Sequence, residues 1–304
     1  MTRDDHGRGV LAAWGAYGIW GLFPLYFHAL KPAGAWEILS HRIVWTFVFC
    51  ALILGARRDL AWLPRMVRRP RLAIGVSFAA VFIAINWVVY VYAVITGRTN
   101  EAALGYFLNP LVTVALGVVV LRERLRPLQW IAVGIGGAAG IYLAIAAGSL
   151  PWIATALAFS FALYGLTKKR LGATMPALHS LTAETVVLAP IAAGILIWLG
   201  VSGGSTFTLD APLHPALLVA AGVVTAAPLL LFAAATRRIP LVTIGLIQFI
   251  TPIIQLLMAV TFLGEHLPRE RWIGFGIVWI ALVVLSVDSV RAGRKRRVPV
   301  PEPV

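Results

Sequence analysis

The sequence predicts an all-α integral membrane protein whose ten transmembrane helices form two inverted five-helix repeats. Three observations carry this expectation. Sixty per cent of the 304 residues are hydrophobic, 12% are charged and the mean hydropathy is +0.87, far above the balance of a soluble domain. The chain also repeats itself at one fixed offset: Leu121-Arg122-Glu123-Arg124-Leu125 returns as Leu263-Gly264-Glu265-His266-Leu267. The same offset takes Pro110 to Pro252, Trp130 to Trp272, Gly134 to Gly276 and Leu39 to Leu181. Finally, each half holds an odd number of apolar runs, five, so the second copy crosses the bilayer in the opposite sense.

At ~20 apolar residues per crossing, the spans fall near 10–30, 35–55, 73–95, 100–121, 127–147, 149–170, 177–200, 214–235, 240–263 and 271–290. These are Leu/Ala/Val/Ile-rich runs, not the alternating ~10-residue segments of an outer-membrane barrel. The domain reading is a tail over 1–9, a first repeat over 10–147, a second over 149–290 and a basic tail over 291–304.

Span one follows Arg3 and Arg8, as a signal peptide would, but no small-residue cleavage site precedes Phe23-Pro24-Leu25, so it reads as a retained helix. Its Gly15, Gly18 and Gly21 let another helix approach closely. Span two carries Arg42 beside His41, and the lone Cys50, which reads as a small apolar packing residue. In span three Asn86, Tyr90, Ala93 and Gly97 share a face, with Trp87 and Tyr92 alongside. Trp62, Trp152 and Trp272 sit near span ends, while Trp14, Trp45 and Trp87 lie deeper.

Span four places Tyr106, Asn109, Thr113 and Gly117 on one helical face. The repeat offset maps Tyr106, Asn109 and Thr113 onto Gln248, Thr251 and Gln255 of span nine, again one face. A polar stripe in hydrocarbon needs partners in the bundle or a water-filled path. Both readings stand: interhelical hydrogen bonds, or a solute pathway at the interface of the repeats. Pro110 and Pro252 mark helix kinks directly after Asn109 and Thr251. Span five contains a loose glycine fingerprint at Gly134–Gly140, which without a preceding strand is helix packing rather than a nucleotide site.

Span seven holds Glu184, the equivalent of Arg42, with His179 about a turn earlier. Charges at this depth need a partner or a cavity; the candidates are a structural Arg42–Glu184 ion pair, Arg42 snorkelling toward the outer face, or a protonatable coupling role for Glu184. Glu123 and Glu265 sit at span ends and read as helix-end or loop contacts. No P-loop, Cys-x-x-Cys, His-Glu-x-x-His or Gly-x-Ser-x-Gly occurs, so the sequence marks no cofactor, metal or catalytic site. Only Arg42, His41, His179 and Glu184 could serve a membrane enzyme.

The net charge of +14 reports orientation rather than nucleic-acid binding. With the N-terminus inside, the inner segments hold Arg3, Arg8, the six arginines of 57–71, Arg122, Arg124, Arg126, Lys168–Arg170, Arg237, Arg238 and the five basic residues of 291–297. The outer loops hold only Lys31, Arg98, Arg269 and Arg271. Both termini are therefore expected in the cytoplasm, with anionic lipid near the basic loops.

The runs Glu37-Ile38-Leu39-Ser40-His41-Arg42, Asn86-Trp87, Glu101–Val112 (Glu-Ala-Ala-Leu-Gly-Tyr-Phe-Leu-Asn-Pro-Leu-Val), Ala158–Leu166, Glu184-Thr185 with Leu188-Ala189-Pro190, Thr225–Leu230 and Ala233–Arg237 resemble the RarD family, in the EamA branch of the drug/metabolite transporter superfamily. The motifs lie in order across residues 9–290, and Gln248-Phe249-Ile250-Thr251-Pro252 departs only conservatively from the family's Gln-Tyr-Ile-x-Pro. The resemblance implies a bacterial inner-membrane permease with two EamA repeats, in a family described for chloramphenicol sensitivity or resistance. The expected activity is secondary-active export of a small amphipathic metabolite or drug by alternating access. A membrane sensor or assembly protein is the rival.

Inverted duplication sets opposite sides for equivalent loops. Single cysteines replacing Arg124 and Arg269 on a Cys50→Ala background are expected to react with an impermeant maleimide from the cytoplasmic and the outer side respectively. Labelling of both from one side excludes the inverted topology.

Overall fold

The computed structural model describes residues 3–59, 61–96, 98–146, 152–208, 212–262 and 269–295. Among them are thirteen helices and no strand. The first half comprises α1 (Arg3–Gly21), α2 (Phe23–Ala29), α3 (Ala35–Ala56), α4 (Trp62–Val67), α5 (Pro70–Ile95), α6 (Thr99–Val119) and α7 (Pro127–Ala146). The second comprises α8 (Trp152–Leu171), α9 (Ala177–Val201), α10 (Leu213–Arg238), α11 (Leu241–Gln248), α12 (Ile250–Thr261) and α13 (Arg269–Lys295). Span one is thus two helices broken at Leu22, span nine two helices broken at Phe249, and α4 is a short helix that the apolar pattern does not announce. Among the described residues, five stretches suffice by length and composition alone to cross a membrane, 4–29, 35–56, 70–93, 177–201 and 213–238, and shorter apolar stretches cover 104–119, 127–143, 241–255 and 272–281. Large apolar side chains such as Leu11, Ile145, Ile197 and Val201 cover the outer surface, as a bilayer-facing perimeter requires.

The packing pattern is symmetric under exchange of the halves. Pairing each helix with its counterpart at the repeat offset sends the α1–α10 contact to α8–α5, the α1–α12 contact to α8–α6 and the α3–α10 contact to α9–α5, all of which are present. Three interfaces map onto themselves: α3–α9, α6–α11 and α7–α13. Polar ties at their ends show that these counterparts run antiparallel. Glu37, in the first turn of α3, accepts hydrogen bonds from Ser205 Oγ (2.9 Å), Thr206 N (2.8 Å) and Thr206 Oγ1 (2.9 Å), beyond the end of α9. His179, near the start of α9, meets Asp59, beyond the end of α3, at 2.8 Å. Glu123, beyond α6, accepts from the N–H groups of Leu241 (2.8 Å) and Val242 (2.7 Å) at the start of α11, a placement that the helix dipole favours. Arg126, just before α7, pairs with Asp288 near the end of α13 at 2.5 Å. A helix antiparallel to its own counterpart is the geometric content of inversion.

Close contacts fix two of these interfaces. A Cβ on Gly21 would lie 2.6 Å from Cβ of Ile254, so glycine lets α1 meet α12. One on Gly222 would overlap the Trp45 backbone, and at this crossing Thr46 Oγ1 donates to the Gly222 carbonyl at 3.1 Å. Two arginines just beyond the ends of α3 and α6, Arg58 (φ 52°) and Arg122 (φ 55°), occupy the left-handed region.

The tie between α8 and α9 is ionic. Lys168 Nζ lies 2.6 Å from Glu184 Oε1, and Ser180 Oγ (2.7 Å) and Tyr164 OH (3.1 Å) also donate to that carboxylate. Both charged side chains are 2% exposed. Lys168, counted above with the cytoplasmic loop cations, is therefore a buried residue of α8. Stranding one member of a buried pair costs about 3–5 kcal/mol, whereas an apolar replacement of both is often neutral. Lys168→Met is accordingly expected to lower the melting temperature of the purified protein strongly, and Lys168→Met combined with Glu184→Leu to recover most of the loss. Equal melting of wild type and the single variant excludes this role.

Candidate functional site

Proline removes a backbone donor four residues after each carbonyl it would have served, and the two broken rods meet where this happens. Pro24 cannot serve the Trp20 carbonyl, which instead accepts from Gln255 Nε2 at 3.3 Å. Thr251 Oγ1 donates to the Tyr17 carbonyl at 2.9 Å, and Tyr17 OH donates to Gln248 Oε1 at 3.4 Å. In this way α1–α2 is stitched to α11–α12, and between these rods and α3, α5 and α6 lies a cavity of about 110 Å³.

The cavity gathers most of the expected residues. Arg42, Asn86, Trp87, Tyr90, Tyr106, Asn109, Gln248, Thr251, Pro252 and Gln255 line it, so both polar stripes face one space. Thr113 does not; it stands one turn behind, its hydroxyl donating to Asn109 Oδ1 at 3.2 Å. Pro110 lies within an unbroken α6 and off the lining. In the second half the break falls at Phe249, three residues before Pro252. Asn86 Nδ2 is held by the Leu157 carbonyl (3.0 Å) and Ser160 Oγ (3.1 Å), so this residue both lines the cavity and joins α5 to α8.

The Arg42–Glu184 ion pair does not form. Glu184 is closed by Lys168, while Arg42 Nε donates to Thr225 Oγ1 of α10 at 3.0 Å. The reason is the inversion itself: counterparts on the antiparallel α3 and α9 sit at opposite depths. Arg42 instead lies among aromatic rings, its Cζ 5.2 Å from the Trp87 centroid, 5.3 Å from Phe27 and 5.5 Å from Phe23. His41 accepts from Trp45 Nε1 at 3.1 Å and stacks on Phe207, whereas His179 stacks on Trp62 and pairs with Asp59. The four polar residues that could serve an enzyme thus have separate surroundings. Among the described residues no group of three or more His, Cys, Asp or Glu is placed to hold a metal.

Sequence reasoning missed the aromatic wall contributed by α1 and α2. Tyr17, Trp20, Phe23, Pro24 and Phe27 line the cavity, joined by Phe161 of α8. Trp20 packs against Phe161 at 5.5 Å and Phe232 at 5.8 Å. The signal was present: Trp20, Phe23 or Pro24, and Phe27 recur at i, i+3/4, i+7, one helical face around a proline. Trp14 and Trp45 are not in the lining; Trp14 is on the perimeter. Of the repeated acids, Glu123 caps α11 and lies 3.8 Å from Lys169, while Glu265 lies outside the described residues.

Comparison with known proteins agrees with this architecture. The model of the EamA-like transporter family matches twice, over residues 7–146 and 150–287. Protein RarD of Streptomyces exfoliatus is 48% identical over 97% of this chain and 93% of its own length. An uncharacterized transporter of Pseudomonas aeruginosa is 41% identical over 99% of this chain and all of its own. A crystal structure sharing 16% identity superposes with a TM-score of 0.69 over 94% of this chain and 99% of that one, which supports the fold. Two successive family matches on an all-helical chain with apolar, membrane-length helices make this protein a two-repeat member of the EamA-like transporter family.

Proposed function

We propose that this chain is a secondary-active permease of the bacterial inner membrane that exports a small amphipathic organic solute, its two halves rocking about a site between them. The observation that carries the reading is the convergence of both polar stripes, with an aromatic wall, on one cavity at the interface of inverted repeats. Such an interface is where alternating access requires the site to be. Aromatic faces with a few hydrogen-bonding groups suit an organic solute rather than a simple ion. At about 110 Å³ the cavity is far below the ~300–1,000 Å³ of a drug-sized pocket. This conformation therefore has room for a one-ring body, and a larger solute requires the halves to part.

Drive comes from an ion gradient, exchange or downhill flow, since the sequence carries no nucleotide motif. The surroundings of Glu184 favour a structural role over a coupling one, because Lys168, Ser180 and Tyr164 all hold its carboxylate. The ties between stripe residues and neighbouring backbone are the specific observation favouring the rival, a sensor or assembly protein whose stripes only join helices.

Counterflow of a panel of labelled aromatic and amphipathic solutes in proteoliposomes separates the two. Asn109→Leu and Gln248→Leu are expected to cut uptake at least about tenfold, or to change which solute is taken, with normal accumulation of folded protein; one lost hydrogen bond to substrate is worth about that factor. Wild-type rates and preference in both variants assign the stripes to helix packing.

A further inference from the structure

Among the described residues, Arg42 is the one charged side chain of the cavity lining. It is 8% exposed, and among the described residues its side chain makes a single hydrogen bond, to Thr225, and no ion pair. Comparison of the two halves sharpens this. Arg42 corresponds to Glu184 at the repeat offset, and Lys168, the counter-charge of Glu184, corresponds to Tyr26. The Tyr26 hydroxyl is itself committed, to the Leu217 carbonyl at 2.5 Å. The second half thus completes its buried ion pair from its own residues, and the first half presents a buried charge whose counterpart position holds a neutral side chain.

We propose that Arg42 is the anion subsite of the transport site, and that the solute is a small aromatic or similarly flat apolar monocarboxylate. Its carboxylate supplies at Arg42 the charge that Lys168 supplies at Glu184, and its apolar body lies against Trp87, Phe23 and Phe27. A guanidinium offers parallel N–H donors that match a carboxylate. Nε is spent on Thr225, which orients the plane and leaves the terminal nitrogens for the ligand. Ring faces stabilise a cation without neutralising it, so they hold Arg42 charged in hydrocarbon while preserving its attraction for an anion. In the low dielectric of the bundle that attraction is much stronger than in water, which selects against neutral and cationic solutes of the same shape. The cavity volume fits a single ring with a short acid arm.

This inference rests on the transport reading, so its test measures binding rather than flux. The full chain, purified in neutral detergent without anionic lipid so that no headgroup can take the subsite, is titrated into the millimolar range with phenylacetate, phenylacetamide and phenethylamine. Tryptophan fluorescence and the ligand-induced rise in melting temperature report binding. Phenylacetate is expected to bind at least about tenfold more tightly than the amide, and the amine not measurably. Arg42→Gln should abolish the difference, and Arg42→Lys should keep part of it. Equal affinity for acid and amide, no binding of any of the three, or a preference that survives Arg42→Gln overturns the proposal. The wild-type comparison decides even where Arg42→Gln fails to fold. Arg42-dependent carboxylate binding without counterflow of any solute refutes the transport reading alone, whereas counterflow of neutral solutes with no preference for the acid refutes the anion subsite alone.

Discussion

Hydrocarbon offers a backbone carbonyl nothing to bond, and this constraint decides where the molecule can bend. Rods one and nine break near Pro24 and Pro252, and the first break is tolerated because rod nine lends it polar side chains: Gln255 reaches the Trp20 carbonyl that Pro24 leaves without its helical donor, and Thr251 reaches the Tyr17 carbonyl one turn earlier. A break satisfied from another rod must lie beside that rod. Gly21 allows that approach, the rods cross, and the irregular geometry around the crossing leaves space that straight helices would have filled. The cavity is therefore a by-product of the same bonds that make the broken helices tolerable.

The two halves share a plan but not a chemistry. Their helices exchange interfaces under the two-fold relation, yet among the described residues rods one and nine are broken while α8, the counterpart of rod one, and α6, the counterpart of rod nine, are continuous. The cavity consequently takes most of its lining from the first half, with α8, α10, α11 and α12 supplying the rest. Polar ties are likewise matched in place and different in kind: a carboxylate gripping three donors at one end of the α3–α9 seam, a histidine and an aspartate at the other.

Much of this was legible in the residues. Apolar runs located the long helices to within a few positions, and the offset between Tyr106, Asn109 and Gln248, Thr251 identified the faces that meet in the cavity. What the pattern could not supply was depth and partnership. Lys168 opens a basic run, so it reads as a loop cation; only the fold shows that its stem turns inward to Glu184. Arg42 and Glu184 are equivalent in sequence, which suggests a pair, but equivalence under inversion separates them. The aromatic face of α1 and α2 was overlooked because Trp, Tyr and Phe near span ends also serve as interfacial anchors.

Arg58 and Arg122 adopt a left-handed backbone that L-residues other than glycine, asparagine and aspartate seldom take. Their counterparts at the repeat offset are Gly200 and Gly264, and the left-handed turn that follows α9 is made by another glycine, Gly203 (φ 71°). At the equivalent sequence positions the second copy has glycine, Gly200 within α9 and Gly264 outside the described residues, whereas the first has a cation in a turn that disfavours it by about 1 kcal/mol. The cation stands in the copy whose loop the basic bias of the sequence leads one to expect on the cytoplasmic side. Had one ancestral half served in both orientations, neutral glycine would have suited either. On that expectation, arginine at these turns marks which way up the first half goes, and insertion into the membrane and stability of the fold then press on the same two residues in opposite directions.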